Sequence, residues 1–224
     1  MELDEKIQYA VEHTEVLQQP RCQLATFGLT NVHYYLITKL MEQASVVREG
    51  RVIAERPRIV TTSYLLNLEG FSESAKHFLT QTAQENPYEI GIFYRYQNDP
   101  SEMNIVSEAI EQVAERINAN IKQQDDPSSA IIKGIEELWD VSLIKFAYEF
   151  TLSSLQRNIT EFAQQGLLRV DRAGIPGETR RYIEELFVKA EREPQRANEL
   201  VTELERWGLF SEYQDRFFKL FRRK

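Results

Sequence analysis

The spacing of apolar residues divides the chain into a mixed first part and a helical second part. Over residues 2–17 apolar positions recur every three or four residues, which predicts a helix that ends before Pro20. Residues 22–27 and 31–40 are rich in β-branched and aromatic side chains, which predicts two strands. Large side chains alternate onto both faces of the second strand, so we expect it to be covered on both sides.

Further strands and one helix are predicted before residue 99. Two short apolar runs flank Glu49-Gly50, and a glycine can supply the positive φ of a tight turn, so residues 45–56 predict a β-hairpin. Residues 57–66 predict an extended segment. Residues 72–85 have helical spacing and predict a helix, whereas residues 87–97 return to period two and predict the last strand.

From residue 99 onward the pattern predicts helices only. Asp99-Pro100 and Asp126-Pro127 have the form of helix starts, because an aspartate can cap and proline suits the first helical position. Residues 128–165 carry two apolar stripes and therefore predict a central helix packed on two sides, which Gly166 would end. Three more helices are predicted to begin near Pro176, Pro194 and Ser211.

Together these elements predict an α+β fold. An N-terminal antiparallel sheet of four or five strands with flanking helices is expected to precede a C-terminal all-α helical bundle. The boundary is predicted at residues 98–100, which gives a sheet subdomain over 1–98 and a helical subdomain over 99–224. We expect the two to pack as one unit, because the central helix carries more apolar surface than its own bundle neighbours need.

The charge and cysteine content of the chain bear on its cellular compartment and on the partners it can bind. The chain has 27 basic and 35 acidic residues, and the net charge of −8 is spread evenly. An even negative field disfavours unspecific contact with nucleic acids and anionic membranes. No window approaches the roughly 20 apolar residues of a membrane span, there is no export signal, and a single Cys22 excludes an intramolecular disulfide. The sequence therefore predicts a cytoplasmic protein with no membrane partner.

The standard catalytic motifs are absent from the sequence. There is no glycine-rich phosphate loop, no GxSxG, no HExxH and no CxxC pair. His13, His33 and His77 are far apart along the chain, so neither a metal site nor a cofactor is predicted. Whether the protein is an enzyme stays open, because many active sites have no local motif.

One set of residues could form a ligand site on the sheet. His33, Tyr35, Arg58, Tyr94 and Arg95 lie on or beside predicted strands. On a concave sheet face the arginines could bind an anionic ligand, and a histidine there could titrate near neutral pH. The same residues also fit cross-strand aromatic packing with arginine stacked over tyrosine, and this structural interpretation is favoured.

A nucleic-acid site is a further alternative, within residues 150–181. Residues 159–176 resemble the helix-to-strand passage of a winged-helix domain, and several arginines lie nearby. The acidic surroundings and the absence of a following hairpin pattern argue against it.

Several stretches resemble a family of uncharacterised bacterial proteins. They are REGRVIAERPRIVT, LLNLEGF, GIEELWDVSLIKFAYEFT and ERWGLFSEYQDRFFKLFRR, and the likeness runs from about residue 21 to 223. The resemblance implies a bacterial cytosolic protein that forms a single unit, and it implies no activity. The sequence favours a non-enzymatic interaction or regulatory protein whose partner is a second copy or another protein. The alternatives are the anionic-ligand site, with or without catalysis, and nucleic-acid binding.

Overall fold

The computed structural model describes residues 3–61, 64 and 89–222, and the chain divides into two compact units. Unit 1 comprises Met1–Pro57 and Tyr94–Ile159, and unit 2 comprises Arg58–Phe93 and Thr160–Lys224. Each unit is therefore built from two separate stretches of chain. The helix predicted over residues 72–85, which contains His77, lies outside the described residues.

The elements follow one another along the chain as six helices and seven strands among the described residues. They are α1 (Leu3–Glu12), β1 (Glu15–Gln18), β2 (Thr30–Met41), β3 (Ala44–Ala54), β4 (Arg58–Thr61), β5 (Ile90–Phe93), β6 (Tyr96–Val106), α2 (Ile110–Gln124), β7 (Ser129–Gly134), α3 (Trp139–Gln164), α4 (Gly177–Arg192), α5 (Ala197–Arg206) and α6 (Phe210–Arg222). Short 3₁₀ turns precede α3 and α5, at Glu136–Leu138 and Pro194–Arg196.

The sheet of unit 1 has five strands in the order β1-β7-β2-β3-β6. β2 is antiparallel to β3, and β3 is antiparallel to β6, but β2 and β7 run parallel. The α+β class is confirmed, and helices follow in the C-terminal part. The sheet is nevertheless mixed rather than antiparallel. β6 continues past residue 98 and β7 lies wholly after it, in the part of the chain where only helices were predicted.

Helices pack on both faces of this sheet, as the large side chains on both faces of β2 predicted. On one face α3 contributes Leu143, Phe146 and Phe150, which contact Val32, Tyr34 and Leu36. On the other face α2 buries Ile110, Val113, Ile117 and Ile121 against Ile37, Val47 and Ile131. Burying each side chain of this kind contributes about 1.5–3 kcal/mol, so these two layers form the main apolar core of the unit.

The helix predicted to start at Asp99 is instead the second half of a strand. The carboxylate of Asp99 pairs with Arg51 at 2.7 Å and caps no helix. Pro100 is tolerated because β6 is the edge strand of the sheet, where a missing N–H can face away from the neighbour. The predicted boundary at residues 98–100 therefore falls inside β6.

The predicted hairpin at Glu49-Gly50 is also wrong, because β3 runs without a turn from Ala44 to Ala54. Among the described glycines, positive φ occurs at Gly166, Gly174 and Gly208. Gly50 is needed for space: a Cβ there would lie 2.5 Å from the hydroxyl oxygen of Tyr34. The glycine thus marks a close approach of the Tyr34 ring to the backbone of β3.

Two other local patterns were misassigned. The carboxylate of Asp126 accepts hydrogen bonds from the backbone N–H and hydroxyl of Ser128, at 2.8 and 2.6 Å, and so forms a turn that leads into β7. Residues 22–27 form no strand, because side chains of α3 form hydrogen bonds with the backbone of this segment. Ser154 accepts from the Leu24 N–H, and Asn158 donates to the Leu24 carbonyl.

Unit 2 contains the helices α4, α5 and α6 and the paired strands β4 and β5. Gly166 and Gly208 adopt positive φ just after α3 and α5, as expected of glycines that end helices. Six large residues lie at the centre of the helical core: Ile183, Leu186, Phe187, Leu200, Leu204 and Phe217. No helix in the described part of the chain combines the length and apolarity needed to cross a bilayer.

Candidate interaction site at the edge of the sheet

The five residues predicted to share a ligand site do not come together in one unit. His33 and Tyr35 are neighbours on β2, with ring centroids 4.8 Å apart, and Tyr35 packs on the α2 side of the sheet. Tyr94 packs with the core on the α3 side, and burial raises its pKa to about 12. Arg58 belongs to unit 2, whereas Arg95 belongs to unit 1.

Both arginines of that set are already paired with carboxylates. Arg58 lies 3.2 Å from Glu178 and 3.6 Å from Glu203, and its guanidinium stacks 3.4 Å from the ring centroid of Tyr182. Arg95 pairs with Glu55 on the surface at 3.6 Å. The stacking of Arg58 over a tyrosine fits the structural interpretation better than an anion site, although the tyrosine is not one of those the sequence suggested.

Metal and thiol chemistry find no support in the described residues. No group of three or more histidine, cysteine or acidic side chains lies close enough to hold a metal ion in the ranges that the structure describes. Cys22 is half-buried, and burial raises the pKa of its thiol, which opposes formation of a reactive thiolate.

The longer edge of the sheet of unit 1 is formed by β6. This strand is last in the order of the sheet and has 11 residues, whereas β1 at the opposite edge has four. On its outer side no described strand is paired with it. An edge of this length presents a row of N–H and C=O groups that can pair with another polypeptide.

A β-bulge divides β6 into two halves. Glu102 lies opposite Glu49 and Pro100 lies opposite Gly50, so Ser101 is an extra residue on β6. Beyond this bulge the residues Glu102–Val106 follow β3 in a regular register to the end of the strand. The second half thus has five residues in regular register without proline, whereas the first half ends in Pro100.

The regular half of β6 exposes two large apolar side chains. Met103 and Ile105 are 64% and 66% exposed. They lie opposite Arg48 and Val46 of β3, so both point to the face of the sheet that α3 covers. Within the residues that the structure describes, the strand thus combines backbone groups that pair with no further strand and an exposed apolar surface.

A pocket of about 360 Å³ adjoins the bulge on this face. Its walls are formed by Tyr34, Arg48, Glu49, Pro100, Ser101, Glu102, Met103 and Trp139. The Tyr34 ring is fully buried, and its hydroxyl donates a hydrogen bond to Asn98 Oδ1 at 3.0 Å. The pocket therefore joins an aromatic lining to the open strand.

A hydrogen-bonded network holds the arginine of this pocket in place. Arg48 donates to both carboxylate oxygens of Glu136, at 2.8 and 2.6 Å, and to the Thr38 hydroxyl at 3.2 Å. Thr38 in turn donates to Glu136, and the Arg48 guanidinium lies 5.3 Å from the ring centroid of Trp139. The hydrogen bonds from Arg48 lower the pKa of Glu136, so this carboxylate is ionised at neutral pH.

The sequence reasoning missed this site because residues 99–106 were assigned to a helix. A usable signal was present, since the apolar Met103 and Ile105 alternate with the polar Glu102 and Asn104. The alternation spans only five residues, however, and the Asp99-Pro100 pattern before it is typical of a helix start.

A second exposed apolar surface lies along α3. Ile144, Tyr148 and Leu152 are four residues apart and exposed, with Ile144 at 68%. They belong to one of the two apolar stripes that predicted packing on both sides of this helix. The stripe that faces the sheet, by contrast, packs in the core of unit 1.

Comparison with protein-family models, with curated proteins and with solved structures gives no match to this chain. The resemblance to bacterial proteins therefore stays a prediction, and the function is argued from the site alone.

Proposed function

We propose that the protein is a non-catalytic interaction protein that pairs an extended segment of another polypeptide with the outer edge of β6. The observation that carries this proposal is the regular half of the strand, Glu102–Val106, with its open backbone edge and its exposed Met103 and Ile105. In strand addition the backbone hydrogen bonds supply affinity, and pockets beside the strand supply specificity.

The apolar surface on β6 makes strand addition favourable. Met103 and Ile105 are about two-thirds exposed, so covering them contributes on the order of 1–2 kcal/mol each. Backbone hydrogen bonds add about 0.5–1.5 kcal/mol each once the edge is shielded from water. A segment of five residues therefore has enough contacts for a specific association.

The pocket beside the bulge supports a role in selecting the bound segment. Its apolar walls include Trp139 and Met103, which suit a large apolar side chain. Arg48 is neutralised by Glu136, while Glu49 and Glu102 lie at the pocket without an ion pair among the described residues. The net charge of these pocket residues is therefore negative.

The alternative of nucleic-acid binding gains no comparable support. Arg180 forms ion pairs with Asp171 at 2.8 Å and with Glu212 at 2.6 Å. Arg181 forms an ion pair with Glu185 at 3.4 Å. Phosphate groups would have to compete with these carboxylates. We therefore do not propose this function for residues 150–181.

Selection from a display library of random eight-residue peptides tests the proposed function. The protein is immobilised at low density, so that neighbouring copies do not meet. We expect enriched peptides that alternate apolar and polar residues and lack proline, because only such segments can form a ladder with β6.

Variants then show whether the enriched peptides bind at the edge. Ile105→Lys should weaken their binding at least about tenfold, which corresponds to about 1.4 kcal/mol. Leu29→Lys is the matched control, because Leu29 is 67% exposed and lies outside the strands. The proposal fails if no peptide is enriched although the immobilised chains are monomeric, or if the enriched peptides bind Ile105→Lys as tightly as the unaltered protein.

A further inference from the structure

We infer that the segment paired with β6 is the same strand of a second copy of this chain, in an antiparallel register centred on Asn104. This inference rests on the proposed function and names the partner of that site. It follows from the symmetry of the regular half of the strand, which extends two residues to either side of Asn104.

The register places the exposed apolar residues against each other. When a strand pairs with its own copy about a two-fold axis, residues equally distant from the centre lie opposite. With Asn104 at the centre, Met103 lies opposite Ile105 of the second copy, and Ile105 lies opposite Met103. Both pairs are on the face that α3 covers, so the two exposed large apolar side chains of the strand cover one another.

The polar residues are also compatible with this register. The two Asn104 side chains lie opposite each other, and each amide has both a donor and an acceptor, so they can exchange hydrogen bonds. Glu102 lies opposite Val106 of the second copy, which keeps the carboxylates of the two copies from facing each other directly.

Neighbouring registers are less favourable. A centre at Glu102 places two carboxylates opposite each other, which is destabilising. A centre at Met103 places Ile105 of one copy opposite Ser101 of the other. A centre at Ile105 places Met103 of one copy opposite Ser107 of the other. Only the centre at Asn104 pairs both exposed apolar residues of each copy with apolar residues of the other.

The limits of the regular half coincide with the limits of this ladder. On one side the ladder ends where the bulge at Ser101 and Pro100 interrupt the strand, and on the other it ends at Val106, the last residue of β6. Proline and bulges commonly protect edge strands against pairing. Here they restrict pairing to five residues and so favour one register.

The resulting assembly closes as a dimer. Two five-stranded sheets joined through β6 form one sheet of ten strands, and both long edges are used in the contact. The edge that remains is the four-residue β1, which is too short to continue the sheet effectively.

Disulfide formation between single cysteines tests the register directly. Cys22 is first replaced by serine, and Asn104→Cys is introduced into this background. Residues directly opposite in an antiparallel pair have Cα atoms about 4.5–5.5 Å apart, a distance that a disulfide spans. We expect mild oxidation to give a covalent dimer of Asn104→Cys that dithiothreitol reverses.

Glu102→Cys in the same background is the matched control. Residue 102 lies on the same side of the strand as residue 104. In the inferred register, however, the two copies of residue 102 are displaced by four residues along the strands, which is too far for a disulfide. A covalent dimer of Glu102→Cys at a yield equal to that of Asn104→Cys would overturn the register.

Sedimentation equilibrium of the unaltered chain provides a second measurement. We expect a mass of twice 26.3 kDa that shifts toward 26.3 kDa on dilution, and Ile105→Lys should shift the equilibrium toward the monomer at least about tenfold. Leu29→Lys should leave it unchanged. A strict monomer that gives no disulfide at residue 104 overturns the inference.

These results separate the inference from the proposed function. If the chain is a monomer but library peptides bind in a manner that depends on Ile105, the edge binds another protein and the proposed function stands. If neither a dimer nor peptide binding is found, both fail.

Discussion

At the scale of single residues, the close contact of Gly50 with Tyr34 shapes the candidate site. The Tyr34 ring is fully buried, and its hydroxyl is held by Asn98. It can take this position only because β3 has no side chain at residue 50. The sequence showed a glycine between apolar runs, but the reason for it lies in a residue 16 positions earlier, which local pattern reasoning does not reach.

We predict that Gly50→Ala destabilises the protein by about 1–3 kcal/mol, because the added Cβ overlaps the Tyr34 hydroxyl and the Asp99 carbonyl. Urea unfolding followed by circular dichroism measures this change. Gly91→Ala is the control, since a Cβ there would meet Val60 at an ordinary 3.7 Å. Equal stability of Gly50→Ala and the unaltered chain would contradict the close contact.

The Arg48–Glu136 pair leads to a prediction about acid stability. Hydrogen bonds from Arg48 lower the pKa of Glu136 below its ordinary value of 4.5. A carboxylate with a lowered pKa stabilises the folded state above the unfolded-state pKa, and this stabilisation is lost as the pH falls through the folded-state pKa. The contribution of the Arg48–Glu136 pair to the free energy of unfolding should therefore be complete above about pH 4.5 and decline below that pH.

Glu136→Gln isolates this contribution, because it keeps the shape of the side chain and removes its charge. We expect it to lower the free energy of unfolding by about 1–3 kcal/mol at pH 7, and the difference from the unaltered chain should shrink below about pH 4.5. Asp99→Asn, which breaks an exposed pair with Arg51, should cost less than about 1 kcal/mol. A difference for Glu136→Gln that is independent of pH would contradict the assigned charge state.

At the scale of elements, long periodic segments were predictable and short ambiguous ones were not. β2, the main part of α3 and the three helices of unit 2 follow from sustained periodicity and from glycines or prolines at their ends. The second half of β6 was misassigned because the Asp99-Pro100 pattern suits a helix, and pairing with β3 outweighs it. That β6 is an edge depends on β7 pairing with β2, which no local pattern reveals.

The two faces of α3 should respond differently to substitution. Ile144 is exposed, so Ile144→Glu should change the free energy of unfolding by less than about 0.5 kcal/mol. Phe146 is fully buried between α3 and the sheet, so Phe146→Ala should cost about 3–5 kcal/mol. Urea unfolding of both variants distinguishes the faces, and a large loss in Ile144→Glu would show that its stripe packs against another part of the chain.

At the scale of the whole molecule, an acidic protein that pairs with itself must overcome its own charge. Each chain carries a net charge of −8, so the inferred dimer carries −16, twice that value. The contacts that form the dimer are apolar pairs, amide groups and backbone hydrogen bonds, in which no ion pair takes part. Long-range repulsion between the copies is therefore the main electrostatic effect on association.

We predict that added salt strengthens the dimer, in contrast to interfaces that depend on opposite charges. Raising sodium chloride from about 20 to 300 mM shortens the screening length from about 20 to 6 Å, so the repulsion weakens and the dissociation constant should fall roughly two- to tenfold. Sedimentation equilibrium at both concentrations measures this. Leu29→Lys is expected to follow the same trend, because it changes the net charge of −8 by only one unit. A dissociation constant that rises with salt would mean that ion pairs hold the copies together, and the contact would then have to lie on a surface other than the apolar half of β6.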